Sequence, residues 1–274
     1  ESSLDGPAGG GDEDMLLKAL EYCHLRGVRV YMTLNTLMKE REMRMLPDYM
    51  QPYLDAGLDG VIVQDPGIMR MAKERWPRLH LHISTQAAVT GPRYAARLKE
   101  LGAARVVLAR ELSLQEIRAI YDATGMEIEV FAHGALCYAY SGQCLMSSMI
   151  GGRSGNRGRC AGTCRLPFAL MDEEGRQISR EDMPYLLSMK DLLTVERLCE
   201  MLAAGVMSFK IEGRMKSPAY VAAVTRVYPD GDLLRRPEDP GRGVCPGRHD
   251  RLLPRREERQ GDDHPAGKTG QEAS

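Results

Sequence analysis

Along most of this chain of 274 residues, segments with apolar residues at helical spacing alternate with short apolar runs typical of strands. Apolar residues at helical spacing predict helices over 15–26 and 42–56, and a glycine follows each of them, as is common at helix ends. Short runs rich in apolar residues predict strands at 28–35, 61–65, 79–85, 105–110 and 127–134. Further helices are predicted over 91–101 and after Ser113, which is placed to form a capping box with Glu116. Strands and helices that alternate at this spacing indicate βα units and a parallel sheet.

A polar residue lies at the C-terminal end of nearly every predicted strand. These residues are Asn35, Asp65, Thr85, Gln86, Arg110, Glu111 and His133, and a later run at 208–214 adds Glu212 and Arg214. In a closed (β/α) barrel all the strand ends meet at one mouth, where active sites of this architecture lie. A doubly wound sheet would gather only the strand ends near its switch point. We therefore predict an α/β fold of the TIM-like (β/α) barrel type.

The two ends of the chain lack this pattern. Residues 1–14 contain the stretch GPAGGGDED and predict a disordered or truncated start. Residues 229–274 contain one valine, no isoleucine and no aromatic residue. Such a composition buries too little apolar surface to offset the entropy of ordering, so this segment is predicted to be a disordered or aberrant tail. The predicted barrel domain covers 15–228.

The numbers of basic and acidic residues bear on whether the protein binds nucleic acid over a broad surface. Lys and Arg total 37 against 38 for Asp and Glu, which leaves a net charge of -1. This balance argues against a broadly basic surface for nucleic acid but leaves room for a local basic patch. No apolar run approaches the roughly 18 residues of a membrane helix, and no signal peptide opens the chain. We therefore expect a cytoplasmic protein without a membrane partner.

Four of the seven cysteines are clustered in a glycine-rich segment. They are Cys137, Cys144, Cys160 and Cys164, with the spacing C-x6-C-x15-C-x3-C. A dense group of thiols in a chain without a secretory signal predicts a metal or iron–sulfur site rather than disulfides. Only the last two cysteines have the close pairing typical of structural zinc, so the spacing favours an iron–sulfur cluster over zinc. Four buried thiols without a metal are the alternative.

The segment around these cysteines resembles a known family. It begins with EVFAHGALCYAYSGQCLMS (129–147) and continues with GGRSGNRGRCAGTCRLPF (151–168), LLSMKDL (186–192) and SFKIEGRMKSPAYV (208–221). Together these motifs resemble the signature of peptidase family U32, the collagenase-like family, over about 15–228. The resemblance implies a barrel-like catalytic domain. Members open with an LLAPAG-type strand and helix, of which only GPAGG is present here, so we expect a barrel that is incomplete at its N-terminus.

The resemblance also implies a function and a cofactor. Members are similar to bacterial enzymes that hydroxylate the tRNA wobble uridine or a ribosomal RNA cytidine at C5, and such relatives bind a 4Fe–4S cluster through four cysteines. By this resemblance Cys137, Cys144 and Cys160 are ligands. Cys164 is the best fourth ligand, although some relatives take the fourth from farther along the chain, which leaves Cys199 as the alternative. Implied partners are a structured RNA, tRNA or ribosomal RNA, and a related U32 subunit.

Basic and aromatic residues flank the cysteines. Arg153, Arg157 and Arg159 are candidates for binding RNA phosphates, with Arg165, Arg214 and Lys216 nearby in the motifs. Tyr138 and Tyr140 are candidates for stacking on an extruded base. The alternatives are a solvated loop for the arginines and core packing for the tyrosines.

Three residues at strand ends are candidates for catalysis. They are His133, Glu212 and Arg214. A structural ion pair at the rim is the alternative for Glu212 and Arg214. A peptidase remains a second hypothesis, with His133 four positions before Cys137, but the sequence has no HExxH or GxSxG motif. A non-catalytic subunit of a hydroxylase pair is a third.

Overall fold

The computed structural model describes residues 11–213 and 216–228. The compact unit that contains them ends at Tyr228. The predicted tail, 229–274, lies outside the described residues, as do 1–10. The first helix begins at Gly11, whereas the hydrophobic pattern predicted its start at Met15.

Strands and helices alternate through most of the described residues. The strands are β1 (Tyr31–Leu34), β2 (Gly60–Val63), β3 (His80–Ile83), β4 (Arg105–Val107), β5 (Glu127–Gly134), β6 (Leu192–Leu193) and β7 (Val206–Ile211). The helices are α1 (Gly11–His24), α2 (Glu40–Asp55), α3 (Pro66–Arg75), α4 (Pro92–Glu100), α5 (Leu114–Thr124), α6 (Met146–Gly151), α7 (Leu198–Ala203) and α8 (Pro218–Val227). The α/β class is therefore confirmed.

Local capping explains where two helices start. The amide of Ser113 donates to the Glu116 carboxylate at 2.7 Å, and the Glu116 amide donates back to Ser113 Oγ at 3.3 Å. This is the predicted capping box of α5. Helix α2 starts at Glu40, earlier than predicted, because the Lys39 amide donates to the Glu42 carboxylate at 2.6 Å and so closes its first turn.

The strands are joined in sequential order. Strands β1, β2, β3, β4, β5 and β7 are parallel neighbours in that order, and β6 pairs antiparallel with the end of β5. A doubly wound sheet reverses its order at a switch point, and this sheet does not reverse. Sequential order is typical of (β/α) barrels. Within the described residues β1 does not pair with β7, so the parallel sheet is confirmed and closure into a barrel stays a prediction.

The sheet has one apolar face and one polar face. Right-handed connections between strands in this order place the helices on a single face. The strand residues buried on that face are Met32, Leu34, Val61, Val63, Leu81, Ile83, Val106, Ile128 and Val130. They pack in one core with helix residues such as Leu46, Ile68 and Ile120. No helix in the described parts of the chain combines the length and apolarity needed to cross a membrane.

The opposite face carries a charged network centred on Glu129. Its buried carboxylate accepts a hydrogen bond from Ser208 Oγ at 2.9 Å and pairs with Arg105 at 3.2 Å and Lys210 at 3.3 Å. Burial alone would raise the pKa of Glu129, but Lys210, Ser208 and Arg105 outweigh it and lower the pKa below its ordinary value. Glu129 is therefore ionised at neutral pH.

His82 lies next to this network on β3. Burial, and secondly Arg105, lower the pKa of His82 to about 4. Its ring lies 4.5 Å from the ring of Tyr31, centroid to centroid. The imidazole is therefore neutral at physiological pH and packs as an interior side chain on this face.

Candidate functional site

The ends of β5 and β7 meet where the chain enters the cysteine segment. The amide of Glu212 donates to the His133 carbonyl at 2.8 Å. Gly134 has a φ of +104°, and a Cβ there would lie 2.7 Å from the Glu212 carbonyl oxygen. Only glycine tolerates both conditions. The structure thus brings together His133 and Glu212, two of the predicted catalytic residues, whereas Arg214 lies outside the described residues.

The segment between Cys137 and Cys144 lies over the ends of β3 and β4. Ser141 donates to the Glu111 carboxylate from its amide and from its hydroxyl, the latter at 3.2 Å. The Arg110 amide donates to Ser141 Oγ at 3.2 Å. A Cβ at the neighbouring Gly142, which has a φ of +74°, would lie 2.2 Å from the Gln86 carbonyl oxygen. These contacts fix the cysteine segment against the carboxyl ends of the sheet.

All four predicted ligands are free thiols. Cys137 and Cys160 are exposed, while Cys144 and Cys164 are partly buried. Burial raises the pKa of Cys164, nearby Arg165 opposes this, and Cys137 and Cys160 raise the pKa further.

Hydrogen-bond donors surround the sulfur of Cys160. The Gly162 amide donates to Cys160 Sγ at 3.3 Å, and Ser147 Oγ lies 3.8 Å from it. Ser147 is itself fixed by the Ala161 amide at 3.0 Å. Such donors stabilise a thiolate, so the donor set suits a soft metal centre. Within the described residues, however, no three His, Cys, Asp or Glu side chains converge closely enough to hold a metal ion.

Arg157 is partly buried and is paired with groups on the protein. Its guanidinium donates to the Leu37 carbonyl at 2.9 Å and forms an ion pair with the buried carboxylate of Glu42. Burial would raise the pKa of Glu42, but the Lys39 amide and Arg157 outweigh it and lower the pKa below its ordinary value. Arg157 therefore anchors the cysteine loop to the start of α2. Its role as a phosphate ligand stays a prediction.

Arg165 connects the two ends of the cysteine segment. One guanidinium nitrogen donates to the Leu136 carbonyl at 2.7 Å, and the other donates to Ser188 Oγ at 2.8 Å and to the Met189 carbonyl. Because Leu136 precedes Cys137 and Arg165 follows Cys164, this contact draws the first and last cysteines together. Ser188 and Met189 belong to the LLSMKDL motif (186–192), so the same side chain also holds this motif beside the cysteine segment.

The other predicted RNA contacts are exposed. Tyr138 and Tyr140 are 55% and 73% exposed, so neither packs in the core. Arg153 and Arg159 are also exposed, and Arg153 Nε donates to the Arg159 carbonyl at 3.2 Å. These four side chains are accessible to a large partner.

His133 is oriented by Tyr228 near the end of the described chain. Tyr228 donates its hydroxyl proton to the Ala132 carbonyl at 2.9 Å, and its oxygen lies 3.2 Å from His133 Nδ1. The contact with the tyrosine oxygen restrains the orientation of the His133 ring.

Sequence reasoning missed a pair of side chains beside the cysteine segment. Gln86 Oε1 and Arg110 Nε are buried and have no hydrogen-bond partner among the described residues. The Arg110 guanidinium lies 4.2 Å from the centroid of the Phe131 ring. The only signal in the sequence was the position of Gln86 and Arg110 at strand ends.

Comparison with known proteins identifies relatives over most of the chain. Residues 11–231 match the model of peptidase family U32. The 23S rRNA 5-hydroxycytidine synthase of Escherichia coli is 43% identical over 213 residues, which are 78% of this chain and 32% of that protein. The tRNA hydroxylation protein P1 of Bacillus subtilis is 39% identical over 217 residues, 78% of this chain and 51% of that protein.

A relative of another kind also matches. A collagenase of Porphyromonas gingivalis is 35% identical over 225 residues, which are 78% of this chain and 53% of that protein. The chain thus spans about a third to a half of the length of these three relatives. Because the family model covers well over half of its residues, the chain belongs to peptidase family U32.

Proposed function

We propose that this chain forms the cluster-binding part of an iron–sulfur enzyme that hydroxylates a pyrimidine at C5 in a structured RNA, either tRNA or ribosomal RNA. One observation carries the proposal. Four free cysteines lie in one loop over the carboxyl ends of a sequentially ordered parallel sheet. The names of the Escherichia coli and Bacillus subtilis relatives support hydroxylation of RNA. A cytoplasmic location, where such RNAs are found, follows from the same proposal.

The proposed ligands of a 4Fe–4S cluster are Cys137, Cys144, Cys160 and Cys164. When bound, such a cluster would supply one-electron transfer. Hydroxylation replaces the C5 hydrogen with a hydroxyl group and is a two-electron oxidation of the base, so the reaction also requires an oxygen donor, such as water, and an electron acceptor from outside this chain. Arg165, which follows Cys164, donates to the carbonyl of Leu136, which precedes Cys137, and this contact favours Cys164 as the fourth ligand. Cys199 is less suited, because it lies on α7, a helix that packs in the core through Leu198 and Met201.

The chain's own residues prepare this loop for a cluster. The Gly162 amide and the Ser147 hydroxyl lie beside Cys160 and would stabilise its thiolate. Arg165 holds the segment next to Cys164 against the carbonyl that precedes Cys137. Arg157 holds the middle of the loop on α2. Together these contacts restrict the parts of the loop that carry Cys137, Cys160 and Cys164 before any metal arrives.

The proposed RNA contacts are the exposed residues beside the loop. Arg153 and Arg159 would bind phosphates, which gives salt-dependent binding despite a net charge of -1. Tyr138 and Tyr140 would stack on bases. His133 Nε2 is our candidate to accept the proton released from C5, and Glu212 lies at the adjoining strand end.

The cofactor is tested by anaerobic purification. We expect absorbance near 400 nm together with equal amounts of iron and inorganic sulfide, and we expect both to be lost in Cys→Ser variants of the four proposed ligands. Cys23→Ser is the matched control, because Cys23 lies on α1 away from the cysteine segment. A colourless protein that contains zinc would contradict the cluster assignment.

The reaction is tested in cells. We expect a strain that lacks the gene, and any related gene, to lose a 5-hydroxypyrimidine from tRNA or ribosomal RNA, as measured by mass spectrometry of nucleosides. The wild-type gene should restore the modified nucleoside, and the Cys144→Ser gene should not. A strain that keeps every 5-hydroxypyrimidine would contradict the proposal.

A peptidase is the second candidate, favoured by the collagenase relative. Within the described residues His133 Nδ1 is hydrogen-bonded to Tyr228 rather than to a cysteine, so a Cys–His pair is not formed there. Cleavage of gelatin by cluster-free protein, lost in Cys137→Ser, would favour this candidate. A non-catalytic subunit would instead be inactive until a related U32 subunit is added.

A further inference from the structure

The end of helix α6 projects from the cysteine segment and carries two apolar side chains. Among the described residues, Met149 is the most exposed of the large apolar side chains, at 83%, and the adjacent Ile150 is 67% exposed. A Cβ at Gly151 or Gly152 would have no atom from the rest of the described chain within 4 Å. Met149 and Ile150, the α6 tip, therefore extend away from the described part of the protein.

The other side of α6 lies against the cysteine site. Ser147 on this helix is buried, and its hydroxyl lies 3.8 Å from Cys160 Sγ and accepts from the Ala161 amide at 3.0 Å. An α-helix rises about 1.5 Å per residue, so the α6 tip begins roughly 3 Å farther along the helix axis than Ser147. Along this axis the tip is therefore less than one helical turn from the serine that contacts Cys160.

Two exposed arginines lie on the chain that leaves the tip. Gly152, with a φ of +63°, ends α6, and the Arg153 amide donates back to the Ser147 carbonyl at 3.1 Å. Arg153 Nε in turn donates to the Arg159 carbonyl at 3.2 Å. These bonds fix an apolar projection beside a cationic loop.

The charge and shape of this surface favour RNA as its partner. RNA carries phosphates on its outside and stacked bases inside, which complements a projecting apolar tip with arginines beside it. Methionine and isoleucine are among the side chains that proteins insert between base steps. The α6 tip therefore has the composition of a side-chain wedge for nucleic acid.

The proposed reaction needs the target base to leave its stack. C5 of a stacked pyrimidine faces the major groove, which in A-form RNA is too deep and narrow for side chains to read. Enzymes that act on a base therefore take it out of the stack, at a cost in stacking energy. Apolar side chains that fill the vacated position are buried there, and this burial offsets part of the cost.

We propose that Met149 and Ile150 form an apolar wedge that inserts into the base stack of the RNA and holds the reacting pyrimidine out of the stack, beside the cysteine site. This inference rests on the proposed function, because it assumes an RNA substrate. It adds a step before the chemistry, the extrusion of the base, and assigns it to two residues that are not cluster ligands or phosphate contacts.

The test uses the whole purified chain and two stem-loop RNAs, a tRNA anticodon arm with a wobble uridine and a ribosomal RNA stem-loop with a loop cytidine. Each RNA carries 2-aminopurine directly 3′ of that pyrimidine, and its fluorescence rises when the neighbouring base leaves the stack. Binding is measured separately from the anisotropy of a terminal dye. We expect saturating wild-type chain to raise the 2-aminopurine fluorescence of at least one RNA severalfold.

Removal of the tip should abolish unstacking rather than binding. We expect the double variant Met149→Ala, Ile150→Ala to lose the fluorescence rise, while its affinity changes by less than about tenfold, because the lost apolar burial and the avoided unstacking oppose each other. Met149→Leu with Ile150→Val keeps the apolar bulk and should retain the rise. Met15→Ala with Leu25→Ala is the matched control, since both residues are exposed, apolar and outside the cysteine segment. All four positions are exposed, so the fold should remain intact, which circular dichroism checks.

The outcomes separate this inference from the proposed function. Absence of binding to both RNAs would overturn the RNA partner and the wedge together. Wild-type binding without a fluorescence rise would overturn the wedge alone. A rise that persists in Met149→Ala, Ile150→Ala would overturn the assignment of these two residues. If that variant also changes from a dimer to a monomer in light scattering, the tip is a contact between copies of the protein instead.

Discussion

Removal of the Arg157 side chain should destabilise the cysteine loop, because it breaks an ion pair whose other member is buried. Arg157→Ala leaves the Glu42 carboxylate, 8% exposed, without its cation and leaves the Leu37 carbonyl without a donor. Loss of one partner of a fully buried pair costs about 3–5 kcal/mol. The Arg157 side chain is 27% exposed, so water can replace part of the interaction. We expect a loss of about 1–3 kcal/mol in the free energy of unfolding.

The pH dependence of this contribution has a definite sign. The pKa of Glu42 is lower in the folded chain than its ordinary value of 4.5. The ion pair therefore stabilises the protein fully above that value, and its contribution is lost as the pH falls through the lowered pKa. Arg157→Ala should consequently lose less stability than the wild type as the pH falls below 4.5.

The assay is urea denaturation combined with iron content after anaerobic purification. A double-mutant cycle with Glu42→Gln should give a coupling energy of about 1 kcal/mol or more, because the two side chains are in contact. Arg153→Ala is the matched control, since Arg153 is exposed in the same loop. The reasoning is refuted if Arg157→Ala is as stable as the wild type and weakens RNA binding as much as Arg153→Ala does. Arg157 would then be a phosphate ligand, as the sequence predicted.

Three further predictions follow from the site and the sheet. Single Cys→Ala changes at the four proposed ligands should each lose iron in a metal assay, whereas Cys23→Ala should retain it. Arg153→Ala with Arg159→Ala should weaken RNA binding and flatten its dependence on salt without loss of iron, and an unchanged salt slope would exclude them as phosphate contacts. Because the pKa of His82 is lowered to about 4, folding stability should fall by up to roughly 3 kcal/mol between pH 6.5 and 4. In His82→Leu, denaturation curves should show a smaller change, and an equal change would refute this role.

The elements of this protein follow from the sequence because their signals are local. The spacing of apolar residues predicts each helix or strand from residues inside it. A glycine after the helix and the Ser113–Glu116 capping box lie within a few residues of the helix ends that they predict. The clustering of four thiols and the family motifs are also properties of the sequence alone. These signals predicted the α/β class, the parallel sheet, the U32 family and a cysteine site near the strand ends.

The roles of individual side chains were decided by residues distant along the chain. Arg157 resembled its neighbours Arg153 and Arg159 in the sequence, yet only it meets Glu42, which lies 115 positions away. The His133 ring is positioned by Tyr228, 95 positions away. The close approach of Gly142 to the Gln86 backbone is likewise made only by the fold. Local patterns carry no information about such partners, because charge, burial and hydrogen bonding depend on which strand ends the fold brings together.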